Sequence, residues 1–251
     1  MKGYREPTDY FSLFRNSLLI SKSSHVWFRD KVVTVLDDHD QVRKGENKAR
    51  FCFDSAPPSL MLSALALNAT TLGIPCIYYG SEQRFDGEGK GGGADRYLRE
   101  CMFGGPFGAF RSKERHFFNE DEWVYQELAK VLALRQERIA LRRGRQYCQI
   151  SGNGSDFGLP RVLGGEIRSL VPWSRLFDRS EVVLAINTDR QQDRTAWTVV
   201  DADLHAAGSQ LRCVYSTAAG EIGQTLTVQA RPDGGRVVPL KVPAAGFVMY
   251  E

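Results

Sequence analysis

The sequence predicts an α/β segment over residues 1–145 followed by an all-β domain, an antiparallel sandwich, over residues 146–251. Three observations carry this reading. Two short apolar runs, residues 31–36 (KVVTVL) and 74–79 (IPCIYY), flank a helical stretch at the spacing of a βαβ unit. After Gly144 the apolar period falls from helical values to about two. Finally, 42% apolar and 25% charged residues over 251 positions suit a globular chain long enough for a sizeable core.

Each element has its own justification. Residues 9–20 place Phe11, Phe14 and Leu18 at three- and four-residue offsets, which predicts an amphipathic helix. The runs 31–36 and 74–79 are apolar throughout, as expected of strands buried on both faces of a parallel sheet. Residues 57–72 read as a helix, with prolines in the first turn and Gly73 as the stop. Residues 122–143 predict one long helix with Val124, Leu128, Val131, Leu132 and Leu134 on its apolar side. Seven strands are expected beyond it, at 166–171, 182–187, 196–200, 211–216, 226–230, 236–242 and 246–250, separated by glycine-rich turns such as 152–154 and 233–235.

Composition excludes several function classes. A formal charge of +3 gives no case for nucleic acid as a partner. No apolar run approaches the ~18 residues of a membrane span. Residues 1–7 lack the apolar core of a secretory signal, so a cytoplasmic location is expected. The cysteines at 52, 76, 101, 148 and 213 are odd in number and contain no CxxC pair, which predicts buried free thiols rather than disulfides or structural zinc. Histidines 25, 39, 116 and 205 are scattered, and neither a metal nor a cofactor is expected. The tract 87–93 (GEGKGGG) is a surface loop and not a phosphate-cradling loop, because Lys90 is followed by Gly91 instead of Ser or Thr. Arginines 135, 138, 142, 143 and 145 read as a solvated helix C-terminus, where positive charge is favoured, with an anion patch as the alternative.

The informative segment is Val35-Leu36-Asp37-Asp38-His39-Asp40, at the C-terminal end of the first apolar run. That edge carries the chemistry in α/β folds. Three carboxylates and an imidazole within four positions concentrate negative charge, which raises at least one carboxylate pKa unless a cation or donors offset it. Taken alone the run reads as a metal site, an acid/base site or a solvated loop with capping aspartates.

A second segment, residues 73–83 (GIPCIYYGSEQ), lies some 33 residues on. Together, VLDDHD and GIPxIYYGxEQ in this order and spacing resemble the α-amylase family, glycoside hydrolase family 13. The likeness covers essentially the whole chain. It implies the C-terminal portion of a TIM (β/α)8 barrel, its seventh and eighth strands, followed by the family's terminal β-domain. It also implies retaining hydrolase or transglycosylase chemistry on α-glucosidic bonds, with an α-glucan or other α-glucoside as substrate. Asp40 resembles the family's third catalytic carboxylate, which stabilises the distorted sugar in the transition state. His39 resembles the histidine that binds hydroxyls of the same sugar. Asp95 and Arg99 (DRYLR) resemble a pair that holds a more distant glucose; an i,i+4 surface ion pair is the alternative. Glu82 belongs to the strand motif but is not the acid catalyst, and a structural role is expected for it.

Two departures qualify the likeness. Asp38 stands where the family usually has Asn, so an amide donor is replaced by an acceptor-only carboxylate. More important, retaining glycosidases use a nucleophile and an acid/base carboxylate about 5 Å apart. In this family they lie on strands upstream of the segment seen here, and no strand-end carboxylate motif precedes Lys31. The expectation is a C-terminal segment that is inactive alone and that partners a missing N-terminal barrel part. The alternative is a non-catalytic carbohydrate-binding or interaction remnant of the same fold.

Overall fold

The computed structural model describes residues 5–14, 25–40, 49–54, 56–87, 98–100, 102, 118–163, 166–167 and 170–251. Asp95, Cys101, the glycine tract from residue 88 on, and the end of the expected helix at 15–20 lie outside the described residues. The chain divides into two compact units. One comprises Met1–Val32, Thr70–Ile74 and Leu134–Glu251; the other comprises Val33–Ala69 and Pro75–Ala133.

The N-terminal elements are short: α1 (Pro7–Ser12) and α2 (His25–Lys31). Strand β1 (Val33–Val35) is followed by α3 (Pro58–Thr70) and β2 (Ile74–Cys76), and β1 and β2 form a two-stranded sheet. Helix α3 opens on a proline and is buried on every side, with Leu60, Met61, Leu62 and Ala66 fully inaccessible. A helix apolar all round has to sit inside a core. The two strands depart from the sequence expectation. Each shows an exposed–intermediate–exposed pattern, and Val33 (59%), Val35 (46%) and Ile74 (44%) meet solvent. With no further strand in this sheet among the described residues, apolar composition alone cannot bury either face.

The expected long helix is two. Helix α4 (Trp123–Glu137) buries Val124, Leu128 and Val131, and α5 (Ile139–Arg143) buries Ala140 and Leu141. Between them Arg138 is extended (φ −101°, ψ 110°). Its guanidinium forks onto the Glu251 carboxylate at 2.7 and 2.8 Å. That bond to the far end of the chain fixes the break, which neither glycine nor proline signals.

The remaining strands are β3 (Arg145–Cys148), β4 (Ser151–Gly152), β5 (Phe157–Gly158), β6 (Val162–Leu163), β7 (Glu166–Ile167), β8 (Leu170–Phe177), β9 (Ser180–Asn187), β10 (Arg194–Val200), β11 (Gln210–Ser216), β12 (Thr225–Thr227), β13 (Gln229–Ala230), β14 (Arg236–Val242) and β15 (Phe247–Tyr250). Six form a sheet in the order β12-β11-β15-β9-β8-β3, and five form another in the order β13-β14-β10-β4-β5. The pairings within these sheets are antiparallel. Their inner faces share one core: Leu170, Val183, Ala185, Leu211, Cys213 and Val248 from the first, and Val200, Val238, Leu240 and Val242 from the second. This is sandwich packing.

The outer face of the six-stranded sheet is buried too. Trp173 stacks on Phe247 with ring centroids 6.0 Å apart, and Phe11 and Tyr215 pack beside them. Tyr215 reaches that face because the register shifts between Cys213 and Tyr215. An extra residue in one strand reverses which face the next side chain takes. The fully buried Arg175 lies on this face and donates to the carbonyls of Thr70 and Gly144, at the ends of α3 and α5. Helix C-termini favour a cation, yet burial and the neighbouring Arg135 and Arg29 still push its pKa down to about 9.

The thiols differ from expectation in one respect. Cys52 and Cys213 are buried and Cys148 half-buried, but Cys76 is exposed at the end of β2; all four are thiols. No helix among the described residues is long and apolar enough to cross a membrane.

Candidate functional site

Strand β1 runs into the turn 36–40, where the acidic cluster separates into distinct jobs. Asp37 is buried; Oδ1 accepts from the Phe51 N–H at 2.8 Å and Oδ2 from the Ser81 hydroxyl at 3.0 Å. Asp38 Oδ1 accepts from the Asp40 N–H at 2.8 Å, a two-residue side-chain turn. An Asn carbonyl would serve the same purpose, so the replacement at 38 leaves this turn's acceptor in place. His39 and Asp40 are thereby held toward solvent, with side chains 62% and 42% exposed.

Arg99 meets them from a segment distant in sequence. Its Nη2 lies 2.8 Å from Asp40 Oδ1, and its Nε donates to the His39 carbonyl at 3.3 Å. His39 Nε2 lies 3.2 Å from Asp40 Oδ2. Three of the four expected site residues, His39, Asp40 and Arg99, are thus brought together. The fourth, Asp95, lies outside the described residues.

The segment carrying Arg99 is pinned by the tyrosines of the second motif. Tyr78 donates its hydroxyl to Leu98 O at 3.1 Å, and Tyr79 to Glu100 O at 2.8 Å. Behind them sits Arg50, fully buried. Its guanidinium donates to Tyr79 O, to Ser81 Oγ at 3.2 Å and to Glu100 Oε2 at 3.3 Å. The Tyr78 ring lies 4.7 Å from the guanidinium carbon, within cation–π range. One cation therefore ties the ends of β1 and β2 to the Arg99 segment, since Ser81 also holds Asp37. Gly80 (φ 83°) makes the tight turn possible: a Cβ there would strike the Phe85 ring.

Two carboxyls in this interior are displaced. Burial pushes Glu100 up to about 7 against the opposing charge of Arg50, and nearby Asp86 adds to the rise. Burial also raises Glu82, which backbone N–H groups and Arg50 only partly offset. Glu82 Oε2 is buried without a hydrogen-bond partner among the described residues.

Sequence reasoning missed Arg50, whose flanking residues (Lys48-Ala49-Arg50-Phe51) form no motif, and it missed the pinning role of Tyr78 and Tyr79. The tyrosine pair inside a recognised motif was the available signal. The assembled surface offers an exposed carboxylate with an imidazole and a guanidinium each within hydrogen-bond reach of it. Such a set can grip the hydroxyls of one small polyhydroxylated ring.

No family profile matches the chain. A curated relative, the cyclomaltodextrin glucanotransferase of Geobacillus stearothermophilus, is 32% identical over 112 residues, 45% of this chain and 12% of that enzyme. Among solved structures, the γ-cyclodextrin glucanotransferase of alkalophilic Bacillus clarkii aligns with 98% of this chain at a TM-score of 0.62 and 19% identity. The Geobacillus thermoleovorans α-amylase, solved with acarbose, aligns with 99% at 0.59 and 16%. This chain is thus similar in sequence to part of a cyclomaltodextrin glucanotransferase and in fold to part of such an enzyme and of an α-amylase. It spans 29% and 44% of those two structures, so the family likeness concerns a part of the relatives' length.

Proposed function

We propose that this chain is the C-terminal part of an α-glucan-active hydrolase or transglycosylase of the α-amylase family. In this reading β1 and β2 are the last two strands of a (β/α)8 barrel, and residues 146–251 form the terminal β-sandwich domain. Asp40 is the carboxylate that stabilises the transition state, His39 binds hydroxyls of the same sugar, and Asp95 with Arg99 contacts a further glucose. The observation that carries the proposal is the convergence of His39, Asp40 and Arg99 beyond the C-terminal end of β1 in a chain whose fold matches these enzymes. Hydrogen bonds to ring hydroxyls that tighten in the oxocarbenium-like state supply several kcal/mol in glycosidases.

Asp40 cannot by itself act as both nucleophile and acid, so the chain alone is expected to be inactive. Its partner is the upstream barrel part. The exposed apolar residues Val33, Val35 and Ile74 support that partner, since further strands would cover them. Cysteines present as thiols support a reducing, cytoplasmic setting.

The test joins this chain to the first six barrel strands of a glucanotransferase relative and assays soluble starch and a nitrophenyl maltoside. Turnover that drops at least roughly 10²-fold in Asp40→Asn, with the fold intact, is the expected result. A folded but inactive assembly, or turnover indifferent to Asp40→Asn, would leave the non-catalytic remnant as the better reading.

A further inference from the structure

A cleft of about 520 Å³ opens where α2, the end of α5, the start of β3 and the β8–β9 hairpin come together. Its size falls in the ~300–1,000 Å³ range of small-molecule sites. Strand alternation supplies one wall. Arg145 and Tyr147 share a face of β3, while Gln146 between them turns away to accept from the Leu72 N–H at 2.8 Å. Tyr147 is left 44% exposed, and Phe177 adds a second aromatic side chain to the lining.

The polar lining is balanced. Arginines 29, 143 and 145 line the cleft together with Asp178 and Asp201. Arg29 is already committed, donating to both oxygens of Asp30 at 2.6 and 2.9 Å. That leaves two guanidinium groups against two carboxylates. Asp201 gives one oxygen to the backbone N–H groups of Asp203 and Leu204 at 2.9 and 3.1 Å, which fixes its position. Asp178 occupies the left-handed region at φ 52°, where glycine would be the cheaper residue. The hairpin turn thus carries a carboxylate at some conformational cost.

An anion would meet Asp178 and Asp201 here, and a cation would meet Arg143 and Arg145. A neutral sugar suits the set: its hydroxyls both donate and accept, and its C–H faces pack on aromatic rings. We infer that this cleft is a second saccharide-binding site, sharing no residue with the His39–Asp40–Arg99 group. That the sugar is an α-glucan rests on the function proposed above.

The full chain titrated calorimetrically with maltoheptaose, to about 10 mM, should bind weakly, on the order of 1 mM. Tyr147→Ala and Arg145→Ala should each weaken binding at least about tenfold. Tyr147→Phe, which keeps the ring, should stay within about twofold, and the melting temperature should show that each variant is folded. Inorganic phosphate should not compete. Binding indifferent to Tyr147→Ala and Arg145→Ala, binding lost only in Asp40→Asn, displacement by phosphate, or no binding at all would each overturn the inference. None of these outcomes decides the proposed function, which is read from turnover of the assembled enzyme.

Discussion

The sandwich and the segment around β1 and β2 solve the problem of strand burial in opposite ways. Strands β8 and β9 each pair on both sides, and nearly every residue of both is buried. Their two faces meet two separate apolar layers, the inner core and the Trp173–Phe247 aromatic layer. Strands β1 and β2 have three residues each and leave valines and an isoleucine in solvent. What organises the chain ends beyond those strands is a buried arginine with its ring of acceptors. Nondirectional burial tolerates small errors, whereas a buried polar network fails when one member is lost.

The largest effect that would expose this difference is at Arg50. Arg50→Met removes the cation opposite Glu100 and frees Ser81 and Tyr79 O together. Breaking a buried pair by deleting one partner costs about 3–5 kcal/mol. Exchange mass spectrometry should show segments 33–40, 79–87 and 98–100 losing protection while β8, β9 and β14 keep theirs. Equal loss everywhere would mean that the two regions unfold as one.

A matched pair of substitutions sharpens the comparison. Ile186 in β9 is 2% exposed and Ile74 in β2 is 44% exposed. Ile186→Ala should cost about 2–5 kcal/mol by transfer and cavity formation. Ile74→Ala should cost less, about 1 kcal/mol, because nearly half of that residue stays in water. Urea unfolding of both variants measures the contrast. Joining the upstream barrel part should raise the cost at Ile74 toward that at Ile186, if further strands cover it.

The next effect is a pH dependence confined to the polar interior. The folded state favours the protonated Glu100 carboxyl, whose pKa moves from 4.5 to about 7. The folded state therefore binds more protons than the unfolded one across that window, so stability falls as pH rises. The contribution is fully present below about 4.5 and gone once pH passes about 7. Glu100→Gln, which keeps shape and drops the titration, should flatten the stability profile between those values. A profile of wild-type slope in that variant would assign the dependence to another group.

What could be read from the sequence follows the same divide. Strand β14 keeps clean boundaries because its apolar residues and turns are local signals. The second half of β8 was not legible, since Ser174 and Arg175 read as polar; Ser174 is satisfied by the Gln149 amide, and the burial of Arg175 depends on acceptors at Thr70 and Gly144, far away in sequence. The bulge at Cys213 and the helix break at Arg138 are likewise set by partners, β15 and Glu251, that no window contains. In the candidate site, Asp40 and His39 were legible through two motifs. Arg99 was legible as a residue type four positions from Asp95, whereas the contact it makes here is with Asp40 across 59 positions. Arg50 had no local signature at all.

The smallest effect on the fold belongs to the residue expected to matter most for chemistry. Asp40 and Arg99 form an ion pair with both side chains more than two-fifths exposed, and His39 is more open still. Exposed pairs contribute about 0–1 kcal/mol, because water screens them and ordering two side chains offsets the attraction. Asp40→Asn should therefore shift the unfolding midpoint of this chain by less than about 1 kcal/mol. If the proposed function holds, the same substitution in the assembled enzyme should lower kcat at least roughly 10²-fold, the scale of losing one preorganised electrostatic contact to the charge that develops in the transition state. A stability loss as large as that expected for Arg50→Met would instead make Asp40 part of the scaffold. The anchors Asp37, Arg50 and the two tyrosines would then no longer suffice to explain how the end of β1 holds its shape.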